Sequence, residues 1–451
     1  MKCIKDFIGR TNFVVKAEEP SLKAKTLSQW EGYSAHEFPK VCIFILSVRR
    51  YSDNLTEIAY INKSGTKNFS AVIPNTFKVK ELTAPLLLRI MDKLTVENLH
   101  RTLHRPSMTI GSDPEMFVED ENGNVIPAYL FLGGKDKPDK TSQGNYGNLP
   151  LYWDGFQAEF QTSPQGCLGW NTDSTQCGLK GLLIAARKFN PKAKVSSKTV
   201  VDIPRELLES GKEEHVQFGC MPSLNAYDMK GSQANGREIS FRPAGGHIHF
   251  GINAYKDVKN PYKKEDYIKM VKALDAILGV ACVSLFANQD NPKRRELYGL
   301  AGEYRLPPHG LEYRVLSNAW LIHPMIMNLV FDLSRVTLTF GYKDYLRLWN
   351  ATEEETINCI NKCDVALARK ILKRNEALFL QLIKCAYGHF DAKYIKAVMK
   401  IFMKGMEYAI KDVNDVHSNW NLEGTWVTHT NSANKNTSVG MKDVIKGKKA
   451  A

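Results

Sequence analysis

Ionisable side chains recur two residues apart in short segments that all read as strands. The segments are Asp113-Pro114-Glu115, Ala158-Glu159-Phe160 between Gln157 and Gln161, His247-Ile248-His249, and Glu312-Tyr313-Arg314. Successive side chains on a strand point to opposite faces, so residues two apart share one. Asp113 with Glu115, His247 with His249, and Glu312 with Arg314 are therefore expected as pairs on a sheet face. Met116, Phe160, Ile248, Phe250, Tyr313 and Val315 suit the opposite, buried face. A face bearing carboxylates, imidazoles and a guanidinium suits a metal-bound, phosphate-bearing substrate.

The chain has 451 residues, enough for two or three domains. No run approaches eighteen consecutive apolar residues, so no membrane span is expected. The opening MKCIKDFIGRTNF carries neither a long apolar run nor a small-residue cleavage site, so no secretory leader is expected. The 9 cysteines are scattered, odd in number and form no C-x-x-C pair. That pattern speaks for reduced thiols in a cytoplasmic setting, and against a disulfide framework or zinc ribbon. A net charge of +13 permits an anionic partner. The lysines are spread widely, however, and cluster only at Lys442, Lys446, Lys448 and Lys449. No zinc finger, RNA-binding aromatic motif or basic heptad accompanies them, so solubility is the plainer reading and nucleic acid is not favoured.

Three textures divide the chain. Residues 1–105 carry strand patterns at 41–48 and 55–61 and a helical pattern at 82–94, without the paired motifs, and read as an added N-terminal module. Residues 106–322 are rich in glycine, proline and turn signals. Strand-like pieces at 111–119, 125–132, 155–162, 245–253 and 310–317 alternate there with helical patterns near 172–189 and 264–287. Glu121-Asn122-Gly123-Asn124 between two apolar stretches is a hairpin signal. Strands divided by helices, with one polar face, predict an α+β domain on a largely antiparallel sheet. Residues 323–430 are helical in pattern, at 324–341, 353–373, 376–387 and 391–411, and are expected to pack on that core. Residues 431–451 read as a flexible basic tail.

The carboxylates of Asp113, Glu115, Glu159 and Glu312 on neighbouring strands would repel one another without a cation. Hard oxygen ligands favour magnesium or manganese, which bridge protein carboxylates and nucleotide phosphates. Glycines on both sides of His247 and His249 predict close approach of a ligand to the backbone. An H-x-H pair can also bind zinc, but the other histidines, His309 among them, show no second ligand spacing. Arg294, Arg295, Arg305 and Arg314 invite phosphate, since guanidinium forks match phosphate oxygens and stabilise charge that develops in phosphoryl transfer. There is no G-x-x-x-x-G-K-[ST] loop and no G-x-G-x-x-G after a strand, so a nucleotide would be held through metals and arginines.

Taken in order, G-S-D-P-E (111–115), D-G-F-Q-A-E-F (154–160), A-G-G-H-I-H-F-G (244–251) and R-R-x-x-Y-G-x-A-G-x-Y-R-x-x-x-x-G-x-E-Y-R-x-L-S-N-x-W (294–320) resemble the phage-type carboxylate–amine ligases, or type 2 amidoligases. These belong to the superfamily of glutamine synthetase and glutamate–cysteine ligase, and the resemblance covers about residues 107–322. It implies a glutamine-synthetase-like catalytic domain that uses ATP and Mg2+ (or Mn2+) to form an amide through an acyl phosphate. By position it implies metal ligation by Asp113, Glu115, Glu159, His247 and Glu312, with Asp154 as a helper. It puts His249 near substrate or nucleotide, Arg314 on the transferring phosphoryl group, and Arg305, Arg294 and Arg295 on phosphate. Glutamine synthetases carry two glutamates on the first strand where this chain has Asp113 first.

The substrates so implied are small-molecule or peptide carboxylates and amines. A homo-oligomer in the cytoplasm, the host's if phage-encoded, is also in keeping with the resemblance. Two other readings stand beside it on the residues alone: a metal-dependent hydrolase built on the H-x-H pair, and a non-enzymatic virion or nucleic-acid-associated protein on the same fold.

Overall fold

The computed structural model describes residues 108–141, 148–164, 168–217, 223–229, 236–252, 262–339, 346, 348–387 and 392–424, and the backbone of four strands before them. Those four are β1 (His36–Phe38), β2 (Ile43–Ser52), β3 (Leu55–Asn62) and β4 (Asn68–Pro74), an antiparallel meander in sequence order. The strands expected at 41–48 and 55–61 are β2 and β3. The helix expected at 82–94 and the tail lie outside the described residues.

Among the described residues fourteen further strands follow in chain order: β5 (Thr109–Ser112), β6 (Glu115–Met116), β7 (Val118–Glu119), β8 (Val125–Ile126), β9 (Asp139–Lys140), β10 (Pro150–Asp154), β11 (Gln157–Phe160), β12 (Lys194–Val195), β13 (Val200–Asp202), β14 (Leu224–Asn225), β15 (Phe241–Pro243), β16 (Ile248–Gly251), β17 (Glu303–Arg305) and β18 (Gly310–Tyr313). Two sheets matter most. One has the order β14-β17-β18-β16-β5, the other β6-β11-β10-β9, and every pairing in them is antiparallel. Mixed helix and antiparallel sheet makes the fold α+β. The predicted hairpin joins β7 to β8. Asp120 Oδ1 accepts from the N–H of Asn122 and Asn124, and Gly123 supplies the left-handed φ of +82°.

The register accounts for the amphipathic floor. Arg305 lies opposite Glu312, Glu312 opposite His249, and His249 opposite Gly111, so these four form a row across one face. The neighbouring row, Tyr304, Tyr313, Ile248 and Ser112, points the other way and is buried.

The expectation of one continuous charged face is corrected at Asp113-Pro114. Proline has no N–H for the ladder, and the chain leaves the five-stranded sheet there. Glu115 instead joins the second sheet, opposite Glu159. The Glu115 N–H donates to the carbonyl of Gly245 (2.9 Å), which ties the two sheets together.

Beneath the five-stranded sheet runs the helix expected at 264–287. It is α-helical over Lys264–Ala273, widens to a π-helix over Leu274–Gly279, and resumes as Val280–Phe286. Gly279 allows the close approach, because a Cβ there would sit 3.0 Å from Tyr313 Oη. Among the described residues this helix, counted to Gln289, is long and apolar enough to cross a membrane, but 89% of its most apolar window is buried. That is the burial of a core helix.

The C-terminal helices Pro324–Val336, Glu353–Asn361, Val365–Arg374, Glu376–Tyr387 and Ala392–Lys404 join the same hydrophobic cluster, which runs from Ile110 to Leu422. The single helix expected at 353–373 is two. Cys363 turns the chain with a φ of +48°, and Asp364 caps the second by accepting from the Leu367 N–H (2.9 Å).

The π-helix carries a buried carboxyl. Asp275 accepts from the Tyr313 hydroxyl at 2.6 Å, and burial raises its pKa from 3.8 to about 7. The folded protein thus keeps a proton that the unfolded chain gives up as pH rises from about 4 to 7. Asp275 therefore lowers stability across that window, by the full amount above it. Melting temperatures of Asp275→Asn and wild type, measured from pH 4 to 7.5, should show a shallower fall for the variant; parallel curves would refute this assignment.

Candidate active site

The site lies where the two sheets meet, and two groups of ligand atoms converge there. Asp113, His249 and Glu312 offer one set within 4.8 Å of one another, and Glu115, Asp154 and Glu159 offer another. Asp113, in the turn between the sheets, stands between them.

In the first group, His249 Nε2 is 2.9 Å from Asp113 Oδ1, and His247 Nδ1 is 3.7 Å from both Asp113 Oδ1 and Glu312 Oε1. Arg314 approaches Glu312 Oε1 at 2.5 Å and Arg305 at 3.7 Å. Burial, reinforced by Arg314 and Arg294, holds His247 well below its ordinary pKa, so its imidazole is neutral. Its Nε2 is buried and has no hydrogen-bond partner. Burial works against protonation of His249 too, but Asp113 and Glu312 outweigh it and raise that pKa. His309, from the turn between β17 and β18, adds a ring nitrogen 3.1 Å from His249 Nδ1.

The second group is more enclosed. Glu115 Oε2 accepts from the Tyr298 hydroxyl and from the Gly245 N–H, both at 2.6 Å. Glu159 Oε1 accepts from the Tyr152 hydroxyl at 2.5 Å. Lys135 reaches Glu159 Oε2 at 3.3 Å and Asp154 Oδ2 at 3.8 Å. Burial and the neighbouring Asp154 raise the Glu115 carboxyl. Burial and Asp113 raise Glu159 well above its ordinary value, against the pull of Lys135. Carboxylates crowded out of water in this way require a cation or a proton.

The donor set fits a hard divalent ion. Both groups are rich in carboxylate oxygen, the first adds imidazole nitrogen, and neither contains a thiolate, which suits magnesium or manganese better than zinc. The poorly paired Oδ1 of Asp113 is a buried acceptor that such an ion would satisfy, and His247 Nδ1, 3.7 Å from Asp113 and Glu312, faces the same space.

Asp113, Glu115, Glu159, His247, His249, Glu312, Arg305 and Arg314 thus converge, and Asp154 joins them. Arg294 and Arg295 do not. Arg294 is fully buried and donates to the carbonyls of Val315 (2.9 Å), Leu316 (2.8 Å) and Arg314 (3.3 Å). Arg295 donates to the carbonyls of Gly299 (2.5 Å) and Val315 (2.6 Å) and pairs with Asp290 (3.2 Å). The expectation that they contact phosphate is corrected: their guanidinium groups are committed to the backbone that follows β18. The glycine expectation changes too. A Cβ on Gly246 would lie 2.2 Å from the Ser317 carbonyl oxygen, and one on Gly245 2.5 Å from His247 Nε2. The close approach is made by the protein's own chain, not by a ligand.

Sequence reasoning missed Lys135, Tyr152, Tyr298 and His309. Tyr152 was within reach, since it stands two residues before Asp154 on one strand and so shares its face. Lys135 and His309 sit in turns, where no periodicity points to them.

Residues 231–422 match the family model described as phage phiEco32-like COOH.NH2 ligase-type 2. The match covers somewhat under half of the chain. The ligase match takes in His247, His249, Arg305, Glu312 and Arg314, and the first carboxylates precede it. No curated protein matches the sequence. Among solved structures, a bifunctional glutathione synthetase from Pasteurella multocida is similar at 11% identity and a TM-score of 0.33, over 68% of this chain and 57% of that one. The chain thus spans little more than half the length of that protein.

The two kinds of arginine should separate in experiment. Arg294→Met removes three buried charge-assisted hydrogen bonds, although Val315 keeps Arg295 and Leu316 keeps the Gly246 N–H. The change should cost about 3 kcal/mol, lowering the melting temperature by roughly 5–10 °C. Arg305→Met removes a half-buried contact worth about 1 kcal/mol at most. It should leave melting within roughly 2 °C of wild type while raising the apparent KM for ATP about tenfold or more. Equal melting losses in both variants would contradict the distinction.

Proposed function

We propose that this protein is an ATP-dependent carboxylate–amine ligase that makes an amide bond through an acyl phosphate, on a glutamine-synthetase-like catalytic domain. The observation that carries the reading is the join of two carboxylate groups at Asp113, with Arg305 and Arg314 beside the first. A carboxylate is a poor electrophile. Its oxygen attacks the γ-phosphorus of ATP, the bond to the β-phosphate oxygen breaks, and ADP leaves. An amine nitrogen then attacks the acyl carbon, the carbon–oxygen bond to phosphate breaks, and the nitrogen's proton passes to solvent.

Asp113, His247 and Glu312 would hold one divalent ion, and Glu115 and Glu159, with Asp154, a second. Bound there, such ions would neutralise the phosphates and align donor with acceptor, which is most of what phosphoryl transfer requires. Arg305, the more open of the two arginines, would meet the transferring phosphoryl group directly. Arg314, buried at 2.5 Å from Glu312, would fix that carboxylate and add positive charge behind it. His249 would orient Asp113 and border the substrate.

On this reading residues 106–322 are the catalytic core and 323–430 the helical layer behind it. Residues 1–105 are an accessory module and 431–451 a basic tail. The substrates are small-molecule or peptide carboxylates and amines, and the setting is cytoplasmic.

Release of ADP with magnesium, pooled acids and pooled amines is the direct test. Wild type should release ADP only when both pools are present, and Glu312→Ala should lower that rate about a hundredfold or more. A carboxylate labelled with 18O should deliver one labelled oxygen to inorganic phosphate. Equal ADP release from wild type and Glu312→Ala would remove this site from the mechanism. Stoichiometric zinc with hydrolysis independent of ATP would replace the ligase by a metal-dependent hydrolase.

A further inference from the structure

A cavity of about 280 Å³ opens at the β5 edge of the floor, bounded by Gly111, Ser112, Asp113, Gln161, Thr162 and His249. We infer that this cavity is the subsite for the attacking amine, and that it takes a compact amine without an anionic group. The inference rests on the ligase reading above and extends it to the class of one substrate.

The polarity of the floor is the main argument. Along the row Arg305, Glu312, His249, Gly111, the guanidinium stands at one end and the cavity at the other. Three strand spacings separate the backbone of Arg305 from that of Gly111, about 14 Å at ~4.8 Å each. Phosphate and the activated carboxyl group require positive charge, and Arg305 and Arg314 supply it on the far side of Glu312. Among the described residues that line the cavity there is no arginine and no lysine. Its ionisable members are Asp113, His249 and His309. Asp113 and His249 are paired at 2.9 Å, and a ring nitrogen of His309 stands 3.1 Å from His249 Nδ1. Among the described lining residues a second carboxylate or a phosphate would meet no guanidinium or ammonium group, whereas an amine would find hydroxyl and amide oxygens from Ser112, Thr162 and Gln161.

The walls are preformed. Ser112 N–H donates to Thr162 Oγ1 (2.8 Å), Thr162 N–H donates to the Ser112 carbonyl (2.8 Å), and the two hydroxyls lie 3.2 Å apart. Gln161 is fixed by its Nε2, which donates to the Tyr152 hydroxyl at 3.1 Å. That hydroxyl is the one bound to Glu159, so the wall is continuous with the second carboxylate group. The volume is at the low end for ligand sites, which limits the amine to roughly amino-acid size. Gly111 keeps the floor of the cavity clear. It opposes His249, so a side chain there would rise on the same face, and its Cβ would meet Pro164 at 3.5 Å, an ordinary contact.

Gly111→Ala and Gly111→Val therefore form a graded obstruction in which the smaller change fits without strain. The probes are an acid panel assayed with hydroxylamine, read as hydroxamate, and an amine panel from methylamine to four-carbon amino alcohols, read as amide and ADP. The expected result is a fall of about threefold in Gly111→Ala, and tenfold or more in Gly111→Val, in kcat/KM for the largest accepted amine relative to hydroxylamine. Acid preference and the KM for ATP should change by less than about twofold. If wild type turns over but the variants change acid preference or the KM for ATP in place of amine size, this inference fails and the ligase reading stands. If wild type forms neither hydroxamate nor amide from any pair, both fail together.

Discussion

Like-charge repulsion among five carboxylates is the constraint to which the rest of this structure answers. Asp113, Glu115, Asp154, Glu159 and Glu312 bring their oxygens together in two groups, each with its ligand atoms within 4.8 Å. At that separation two carboxylates repel by about 3 kcal/mol for an effective dielectric constant near 20, several times what a surface ion pair returns. Each acid is accordingly matched. Glu312 has Arg314 and Arg305, Asp113 has His249, Glu159 and Asp154 share Lys135, and Glu115 accepts from Tyr298 and Gly245. The raised pKa values of Glu115 and Glu159 show that this matching is partial. What is left over is an appetite for a divalent cation or a proton.

The same constraint explains why so much of the fold is rigid near the site. Glu312 and Arg314 flank Tyr313 on β18, and their aim depends on the register of that strand and on the path of residues 314–316 after it. Tyr313 is held from below by Asp275, at the point where the supporting helix widens to a π turn. Residues 314–316 are held from behind by the guanidinium groups of Arg294 and Arg295. A buried arginine bonded to consecutive carbonyls tolerates little displacement, since several charge-assisted bonds would be lost together out of reach of water. Two arginines that look like ligand contacts therefore act one layer back, on the chain segment that carries the contact.

Much of the site was legible because strand alternation is a strict rule. The spacing of Glu312 and Arg314, or His247 and His249, fixes which faces they share whatever sheet they join, and the observed rows obey it. Sheet membership was not legible. Asp113 and Glu115 obey the same spacing, yet a proline between them ends one ladder, and Glu115 pairs with Glu159 in another sheet. Periodicity is local, whereas pairing is decided by partners that lie tens of residues away. The roles of Arg294 and Arg295 were hidden for a related reason: composition cannot tell whether a guanidinium faces a ligand or a carbonyl of its own chain. Lys135 and His309 come from turns, which carry no period at all. The long helices were readable, but the break near Cys363 was not, because a left-handed turn with an Asp cap interrupts an otherwise continuous apolar pattern. The helix expected to reach 411 stops at Lys404, before Gly405 with its φ of +94°.

The two carboxylate groups also differ from each other in a way that bears on how the site is filled. The first is met by arginines that cannot lose their charge and by imidazoles. The second is met by a single lysine whose side chain is about half exposed. A lysine head on a four-carbon stem is a mobile point charge. It can withdraw toward solvent or settle over the Tyr152 ring, whose centroid is 5.2 Å away. The arginines of the first group have no such freedom, because Arg314 is enclosed and Arg305 is set in the row of β17. A cation arriving at Glu115, Asp154 and Glu159 would therefore displace a charge the protein can move aside, whereas one arriving at Asp113, His247 and Glu312 would enter beside charges fixed in place. The asymmetry is a property of the residue types and of where the chain anchors them, and it gives the two halves of one acidic floor different electrostatic settings.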